Sequence, residues 1–429
     1  MASNQPGPKP CRRCKENEAT HKIRTEPTCG SCFRRYVNMK AVKRLEVLGK
    51  EIGAAPTQTK KVLVGLSLGA SSASLVNMLD ESIRAQLRKR PTPAYEPVVV
   101  HVDTDLSSSS SSSSSPEAAP SESLLDGYRR RYPGLRFASI PVTQVLRPGM
   151  NSTIDWSALP IVPSGLEGGG GGGGGDGIDD HDGRNLKERM HDYFARLPSN
   201  TSRADVMRLL VRHVLVSTAV RDGAHALLLG SSTTALAELT LGETAKGRGY
   251  SLPWMVGDGP QAIRYYNTPR SSRPREGGAA APAADGRDEA AAAGEVVATL
   301  PIYYPLREIF RSELVIYTGL VTPPLTELLV SPETGVGSAV VSHKDVSIDD
   351  VMLRYFQDVE ENYPSIVANV VRTTAKLERL GDEHGEACCG LCGMGLDELG
   401  DERWRGEIGD DGGGEYGRLC YGCQRAMRN

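Results

Sequence analysis

Eight of the nine cysteines stand in four CxxC pairs, a spacing that points to metal chemistry. Cys11-Arg-Arg-Cys14 and Cys29-Gly-Ser-Cys32 lie fourteen residues apart, and Cys389-Gly-Leu-Cys392 and Cys420-Tyr-Gly-Cys423 twenty-seven apart, with Cys388 as the spare. A CxxC turn delivers two thiolates from one tight knuckle, and two knuckles close a tetrahedral zinc site with no open position for catalysis. Cys11, Cys14, Cys29 and Cys32 are therefore expected to hold one structural zinc, and Cys389, Cys392, Cys420 and Cys423 a second. Disulfides are the competing use of cysteine. The opening Met1 to Pro10 lacks the apolar core of a secretory leader, so a reducing, cytoplasmic setting is expected.

A second candidate chemistry lies in Gly65-Leu-Ser67-Leu-Gly69. It matches the G-x-S-x-G nucleophile elbow, which requires a strand before the serine and a helix after it. In that hydrolase architecture several strands precede the elbow, whereas here a cysteine module and a basic segment do, and no His-Gly-Gly oxyanion sequence is present. Labelling of Ser67 by a fluorophosphonate would revive that reading. The alternative is a phosphate loop. The apolar run from Val62 breaks into small residues and leads into an amphipathic stretch, which places backbone N–H groups and a helix N-terminus where an anion could sit.

The third candidate is electrostatic. The formal net charge of −3 hides an asymmetry: residues 1–61 carry fourteen Lys and Arg against five acids, leaving −12 for the remainder. Phe33 to Leu45 has helical spacing, with Phe33, Val37 and Met39 among its apolar members and Arg34, Arg35, Lys40, Lys43 and Arg44 as its basic ones. A zinc knuckle fixes where such a helix starts, and a rigid basic helix with Tyr36 interleaved suits a nucleic-acid phosphate backbone. Lys246-Gly-Arg-Gly-Tyr250 reads as a mobile basic loop and is the second choice for that surface. No apolar run is long enough to span a bilayer, so no membrane partner is expected.

These residues need a scaffold, and the pattern supplies an α/β one. Val62 to Gly65, the helix through Leu75, Val76, Met78, Leu79, Ile83 and Leu87, and the continuous apolar strand Pro97 to Asp103 form a βαβ unit, which implies a parallel sheet covered on both faces. Ser202 with Asp205 resembles a helix-start box for a helix towards Val220, on which His213 reads as structural. Ala226 to Gly230 is a further buried strand, and Ser231 to Thr234 opens a helix from Ala235. Pro301 to Pro305 reads as an edge strand, Arg307 to Tyr317 as a helix, and two more helices are expected near 348–361 and 365–380. The division is 1–61 for a zinc module and basic helix, 62–380 for the α/β domain, and 381–429 for a second zinc module. Disordered inserts are expected near 106–122, 165–185 and 270–296; the acids Asp176 to Asp182 lack the spacing of a calcium loop.

The loop resembles the pyrophosphatase loop of the ATP-dependent N-type family, Ser-Gly-Gly-x-Asp-Ser after the first strand. Here the chain reads Ser67-Leu-Gly-Ala-Ser-Ser72, so Ser67, Gly69 and Ser72 align while Leu68 and Ser71 replace a glycine and the acid. Leu68 is expected to obstruct a phosphate that glycine would admit. The loop therefore reads as a relic in which Ser67, Gly69 and Ser72 would be the residues to touch ATP.

With both cysteine modules, the basic helix, Tyr363 to Leu377 and the terminal Leu-Cys-Tyr-Gly-Cys423 added, nearly the whole chain resembles the cytoplasmic tRNA 2-thiolation protein 2 family. The resemblance implies a nucleotide α-hydrolase-like fold and a tRNA-binding subunit paired with a catalytic paralogue. It further implies that a thiocarboxylated ubiquitin-related modifier supplies sulfur for wobble uridines of tRNAs for Lys, Glu and Gln, with a link to conjugation of that modifier to proteins. No cysteine occurs between Cys32 and Cys388, so the α/β domain has no thiolate to carry persulfide or hold an iron–sulfur cluster. A non-catalytic role is the expectation. An active adenylating sulfurtransferase and a zinc-stabilised assembly scaffold without RNA contact are the alternatives.

Overall fold

The computed structural model describes residues 9–53, 58–107, 120–147, 152–166, 185–266, 295–330, 346–379, 388–396 and 418–428. The serine tract from Ser108, the glycine run with its acidic cluster and nearly all of the insert around Arg273 lie outside them.

A two-stranded ribbon, β1 (His21–Ile23) and β2 (Glu26–Thr28), leads into α1 (Gly30–Glu51). The main sheet then begins: β3 (Lys60–Gly65), α2 (Ala70–Leu87), β4 (Tyr95–Asp103), α3 (Pro120–Arg131) and β5 (Arg136–Pro141). After α4 (Leu186–Ala195) and α5 (Asn200–Arg221) come β6 (Ala226–Leu229), α6 (Thr233–Ala245), α7 (Leu252–Val256), β7 (Gly259–Tyr265) and β8 (Glu295–Tyr303). The chain continues through α8 (Arg311–Leu320), α9 (Ile348–Asn362) and α10 (Pro364–Thr374) to α11 (Tyr421–Met427).

The strand order is β5-β4-β3-β6-β8-β7, parallel except for β7, which runs antiparallel on the outer side of β8. Continuous apolar strands bury both faces, and their alternate residues sort into two cores. Leu63, Val100, Val102, Leu227 and Ile302 face one core; Val62, Val64, Val99, Leu228 and Tyr303 face the other. The second is roofed by Phe33, Val37, Ala41 and Leu45 of α1 together with residues of α2, α3 and α8. The first takes α4, α5 and the C-terminal cysteines Cys389, Cys392, Cys420 and Cys423. The C-terminal quartet thus lies in one core, while α1, the helix that Cys29 caps, roofs the other.

Several local expectations change. The strand containing Pro301 is internal, between β6 and β7, and not an edge. Pro301 faces Pro260 of β7 in register, a pair in which neither residue has an N–H to leave unsatisfied. The α5 cap is Ser199, whose side chain accepts the Ser202 N–H at 3.0 Å, while Asp205 lies further along the helix and is buried. The helix expected from Arg307 begins at Arg311, because the Arg307 carbonyl is taken by the Thr233 hydroxyl at 2.8 Å in the preceding turn. Met39 is 47% exposed; the buried stripe of α1 runs through Phe33, Val37, Ala41, Leu45 and Leu48. Among the described residues no helix is long and apolar enough to cross a membrane.

Candidate functional site

Ser67 to Ser72 joins β3 to α2 at the centre of the sheet, so the loop has the position that the βαβ pattern demands. Ser67 is exposed, and Gly69 is the N-cap of α2 with no side chain to satisfy the first turn. The Ser72 hydroxyl accepts the Ser67 N–H at 3.2 Å, lies 3.1 Å from Ser67 Oγ and donates to the Gly69 carbonyl at 3.1 Å. It is spent inside its own loop. Ser67 Oγ is bonded to a serine and not to a histidine, while His101 Nδ1 lies 2.9 Å from the Leu66 carbonyl, so a nucleophile–base pair is not assembled here.

Leu68 departs from the expected obstruction. Its φ is 60°, in the left-handed region that favours glycine, and its side chain is 1% exposed within the core on the α1 side. It is therefore a core residue held at a glycine backbone conformation. Its carbonyl accepts the Val330 N–H at 3.1 Å, which seats residues 325–330 over the loop. Behind the loop, a Cβ on Gly230 at the end of β6 would stand 2.8 Å from Ser72 Cα, so glycine is required for this approach.

Each cysteine quartet converges, with all four sulfurs within 4.8 Å of one another. Cys14 and Cys29 sulfurs are 3.8 Å apart and Cys392 and Cys420 sulfurs 3.9 Å apart. Four thiolates at about 2.3 Å from a tetrahedral zinc stand about 3.8 Å from each other, so both donor sets fit that ion. Burial, then hydrogen bonds to the other cysteines, push the Cys32 thiol up to about 12, and the neighbouring cysteines push Cys392 well above its ordinary value. A cation is what allows all four sulfurs of a quartet to carry charge. Cys29 is also the N-cap of α1, so the first quartet fixes where the basic helix starts. Cys388 stays outside its quartet, bridged to Gly395.

The second quartet is wired into the fold. Its knuckle is bonded to residue 155 by the Asp155 N–H to the Gly390 carbonyl at 2.8 Å. The Leu391 carbonyl lies 2.6 Å from His213 Nε2, and His213 Nδ1 lies 2.8 Å from Thr153 Oγ1. Burial lowers His213 to about 4, which keeps it neutral and structural.

The basic residues of α1 divide into two groups. Arg35 and Lys43 are exposed. Lys40 donates to the Glu308 carbonyl at 2.7 Å and lies over the Tyr36 ring, whereas Arg44 is ion-paired with Asp258, which Arg307 also holds at 2.8 Å. Arg34 lines a cleft of about 920 Å³ between α1 and α2. Arg84, Arg88, Lys89 and Arg90 of the α2 end line the same cleft, a signal present in the sequence as the run Arg88-Lys-Arg90 but not assigned to this surface. The expected mobile basic loop at 246–250 is not one: Lys246 and Arg248 are 6% and 1% exposed. A loop rich in glycine and charge reads as solvated, but these charges are caged by Asp205 and Glu243. Arg248 and Arg208 hold Asp205 well below the usual carboxylate range although burial opposes its charge, and Glu243 is likewise lowered.

The family model for cytoplasmic tRNA 2-thiolation protein 2 matches residues 347–416. A protein of that name from Phaeosphaeria nodorum is 34% identical over 428 residues, 97% of this chain and 94% of the relative. Its counterpart from Pyrenophora tritici-repentis is 34% identical over 432 residues, 99% and 95% of the two chains. Among solved structures, the U34-tRNA thiolase NcsA from Methanococcus maripaludis with its 4Fe-4S cluster aligns over 89% of this chain and 95% of its own, with a TM-score of 0.50 and 14% identity, a likeness of fold. At one residue in three identical across almost its whole length, the chain belongs to the cytoplasmic tRNA 2-thiolation protein 2 family.

Proposed function

We propose that this chain is the non-catalytic, tRNA-binding subunit of a cytoplasmic two-subunit assembly that thiolates the wobble uridine of tRNAs for Lys, Glu and Gln. A cysteine-bearing paralogue performs the chemistry, with sulfur from a thiocarboxylated ubiquitin-related modifier, and the same assembly is linked to conjugation of that modifier to proteins. The observation that carries this reading is the loop at the end of β3. Its Ser72 hydroxyl is consumed internally and its Leu68 is a core side chain, while no cysteine lies between Cys32 and Cys388.

Sulfur geometry supports the proposed metal assignment. A single tetrahedral ion suits sulfurs gathered within 4.8 Å; a four-iron cube, with one thiolate on each of four separated irons, would spread them further. Each quartet is proposed to hold structural zinc, and the Ser67, Gly69 and Ser72 loop to be without an ATP-dependent step. The RNA surface is proposed along α1, centred on Arg35 and Lys43 with Arg34, Lys40 and Arg44 beside them.

The test is reconstitution. The isolated chain should neither adenylate nor thiolate tRNA, and thiolation should require the paralogue with that subunit's loop intact. Uridine thiolation by this chain alone would establish the adenylating alternative, and a complex that thiolates normally while this chain makes no RNA contact would establish the scaffold.

A further inference from the structure

Arg248, in the turn joining α6 to α7, is one of the most deeply buried side chains of the described chain. Its Nη1 donates to Asp205 Oδ1 and Glu243 Oε2, each at 3.0 Å, and its Nη2 to Asp205 Oδ2 at 2.5 Å. Arg208 and Lys246 complete the cage, Arg208 reaching Asp205 at 3.0 Å and Glu243 at 2.7 Å, and Lys246 reaching Asp205 at 3.1 Å, Glu243 at 2.8 Å and Asp349 at 2.8 Å. Three cations meet three carboxylates, so the cage balances its own charge. The third guanidinium nitrogen of Arg248, Nε, stands 3.4 Å from Cys423 Sγ.

We propose that Arg248 is an outer-sphere positioning residue of the C-terminal metal centre: Asp205 and Glu243 aim its Nε–H at the Cys423 thiolate, and retention of an ion by Cys389, Cys392, Cys420 and Cys423 depends on that contact. The inference rests on the reading of this quartet as a metal centre. Its physical basis is desolvation. The four cysteines are 0–5% exposed, so their thiolate charge has almost no water to solvate it and must be met by protein donors. The Cys420 N–H supplies one, to Cys389 Sγ at 3.3 Å, and Arg248 supplies the charged one.

Packing keeps the two parts in register. A Cβ on Gly422, beside Cys423, would collide with Arg248 Cγ and come within 2.8 Å of the Lys246 carbonyl, so the knuckle rests directly on the 246–248 turn. The N-terminal quartet differs. Among the described residues its side-chain donors are Ser31, 3.2 Å from Cys29 Sγ, and Asn17, at 3.9 Å and 4.0 Å from two sulfurs, and Cys14 and Cys32 are partly exposed. The two centres are therefore expected to respond differently to loss of Arg248.

The experiment compares full-length parent, Arg248→Met and Arg248→Lys. Bound zinc is counted first by elemental analysis. Release to a chromophoric chelator is then followed, with cysteine alkylation and mass spectrometry assigning each released ion to its quartet. Arg248→Met should weaken retention at the C-terminal quartet on the order of 10–100-fold, the usual effect of removing an outer partner, and leave the N-terminal quartet unchanged. Arg248→Lys keeps a cation for Asp205 and Glu243 but lacks the Nε–H that reaches Cys423, so it should fold and show the same selective loss. Cobalt-loaded Arg248→Lys should also shift the sulfur-to-cobalt charge-transfer band. A metal-bearing parent whose release and cobalt spectrum are matched by Arg248→Lys would overturn the role of Arg248. A parent that carries no metal would overturn the metal reading itself.

Discussion

Ser67 and Ser72 hold each other across the β3–α2 turn: the Ser67 N–H donates to Ser72 Oγ at 3.2 Å and the two hydroxyls are 3.1 Å apart. A phosphate that took the Ser67 N–H or the Ser67 hydroxyl would have to displace that group's bond to Ser72 Oγ. Restoring glycine and the acid with Leu68→Gly and Ser71→Asp is therefore expected to leave uridine thiolation by the isolated chain at zero, because no cysteine is available in the α/β domain to carry sulfur. ATP–pyrophosphate exchange and thiouridine quantification check the two steps separately. Thiouridine formed by the double variant alone would refute the assignment of chemistry to another subunit.

Leu68→Gly on its own weighs two opposed effects. The left-handed backbone of a non-glycine residue costs about 1–2 kcal/mol, which glycine would recover. Removal of a fully buried leucine costs about 2–5 kcal/mol. The burial side wins, so the variant should unfold at lower urea with a net loss of about 1–3 kcal/mol. A variant more stable than the parent would show that backbone strain dominates at this position.

Charge reversal at Arg35 and Lys43, the exposed members of the α1 set, should weaken tRNA binding across sequences and lower the salt slope of log K by about one for each phosphate left unneutralised. Reversal at Arg44 should instead destabilise the fold, since its partner is Asp258. Filter binding at several salt concentrations, beside urea melts, separates the two effects. Unchanged binding by the Arg35 and Lys43 variant would move the RNA surface to the α2 end, where Arg84, Arg88 and Lys89 are exposed.

The pattern of local residues revealed the strands whose two faces are both apolar, and the quartets, because CxxC spacing is set by ligand geometry alone. It did not reveal β5, whose residues Arg136 to Pro141 are only partly buried at the sheet edge, or β7, which opens on Gly259-Pro260. Nor could it reveal the fate of Lys246 and Arg248. Glycine beside charge favours a solvated loop, and the carboxylate that overrides this preference, Asp205, is 43 residues from Arg248 along the chain. Leu68 was readable as a substitution but not as a core residue, since its direction depends on the positive φ that the turn imposes.

His213 links stability to pH. Burial lowers it to about 4 in the fold, from an ordinary value near 6.5, so the unfolded chain takes up a proton between those limits that the folded chain refuses. Stability contributed by the neutral ring is complete above pH 6.5 and is lost as pH falls towards 4, an effect of about 3 kcal/mol. Urea midpoints at pH 7 and pH 5 should differ less for His213→Gln than for the parent. An equal difference in both would assign the acid loss to other groups.

Removal of metal should proceed in two stages, because the quartets differ in how they are held. Cys14, in the turn before β1, and Cys32, in the first turn of α1, are partly exposed beside a small ribbon whose strands are three residues each, whereas the C-terminal cysteines sit inside a sheet core with α5. A chelator should take the N-terminal ion first, loosening the start of α1 and tRNA binding while far-UV circular dichroism changes little. The C-terminal ion should leave only as the core beneath α5 opens, so its loss should coincide with loss of tertiary signal from Trp254 and Trp156, which pack in the same core. Zinc titrated against near-ultraviolet circular dichroism reads this directly. Simultaneous release of both ions, with no separate first stage, would contradict the unequal embedding of the two centres.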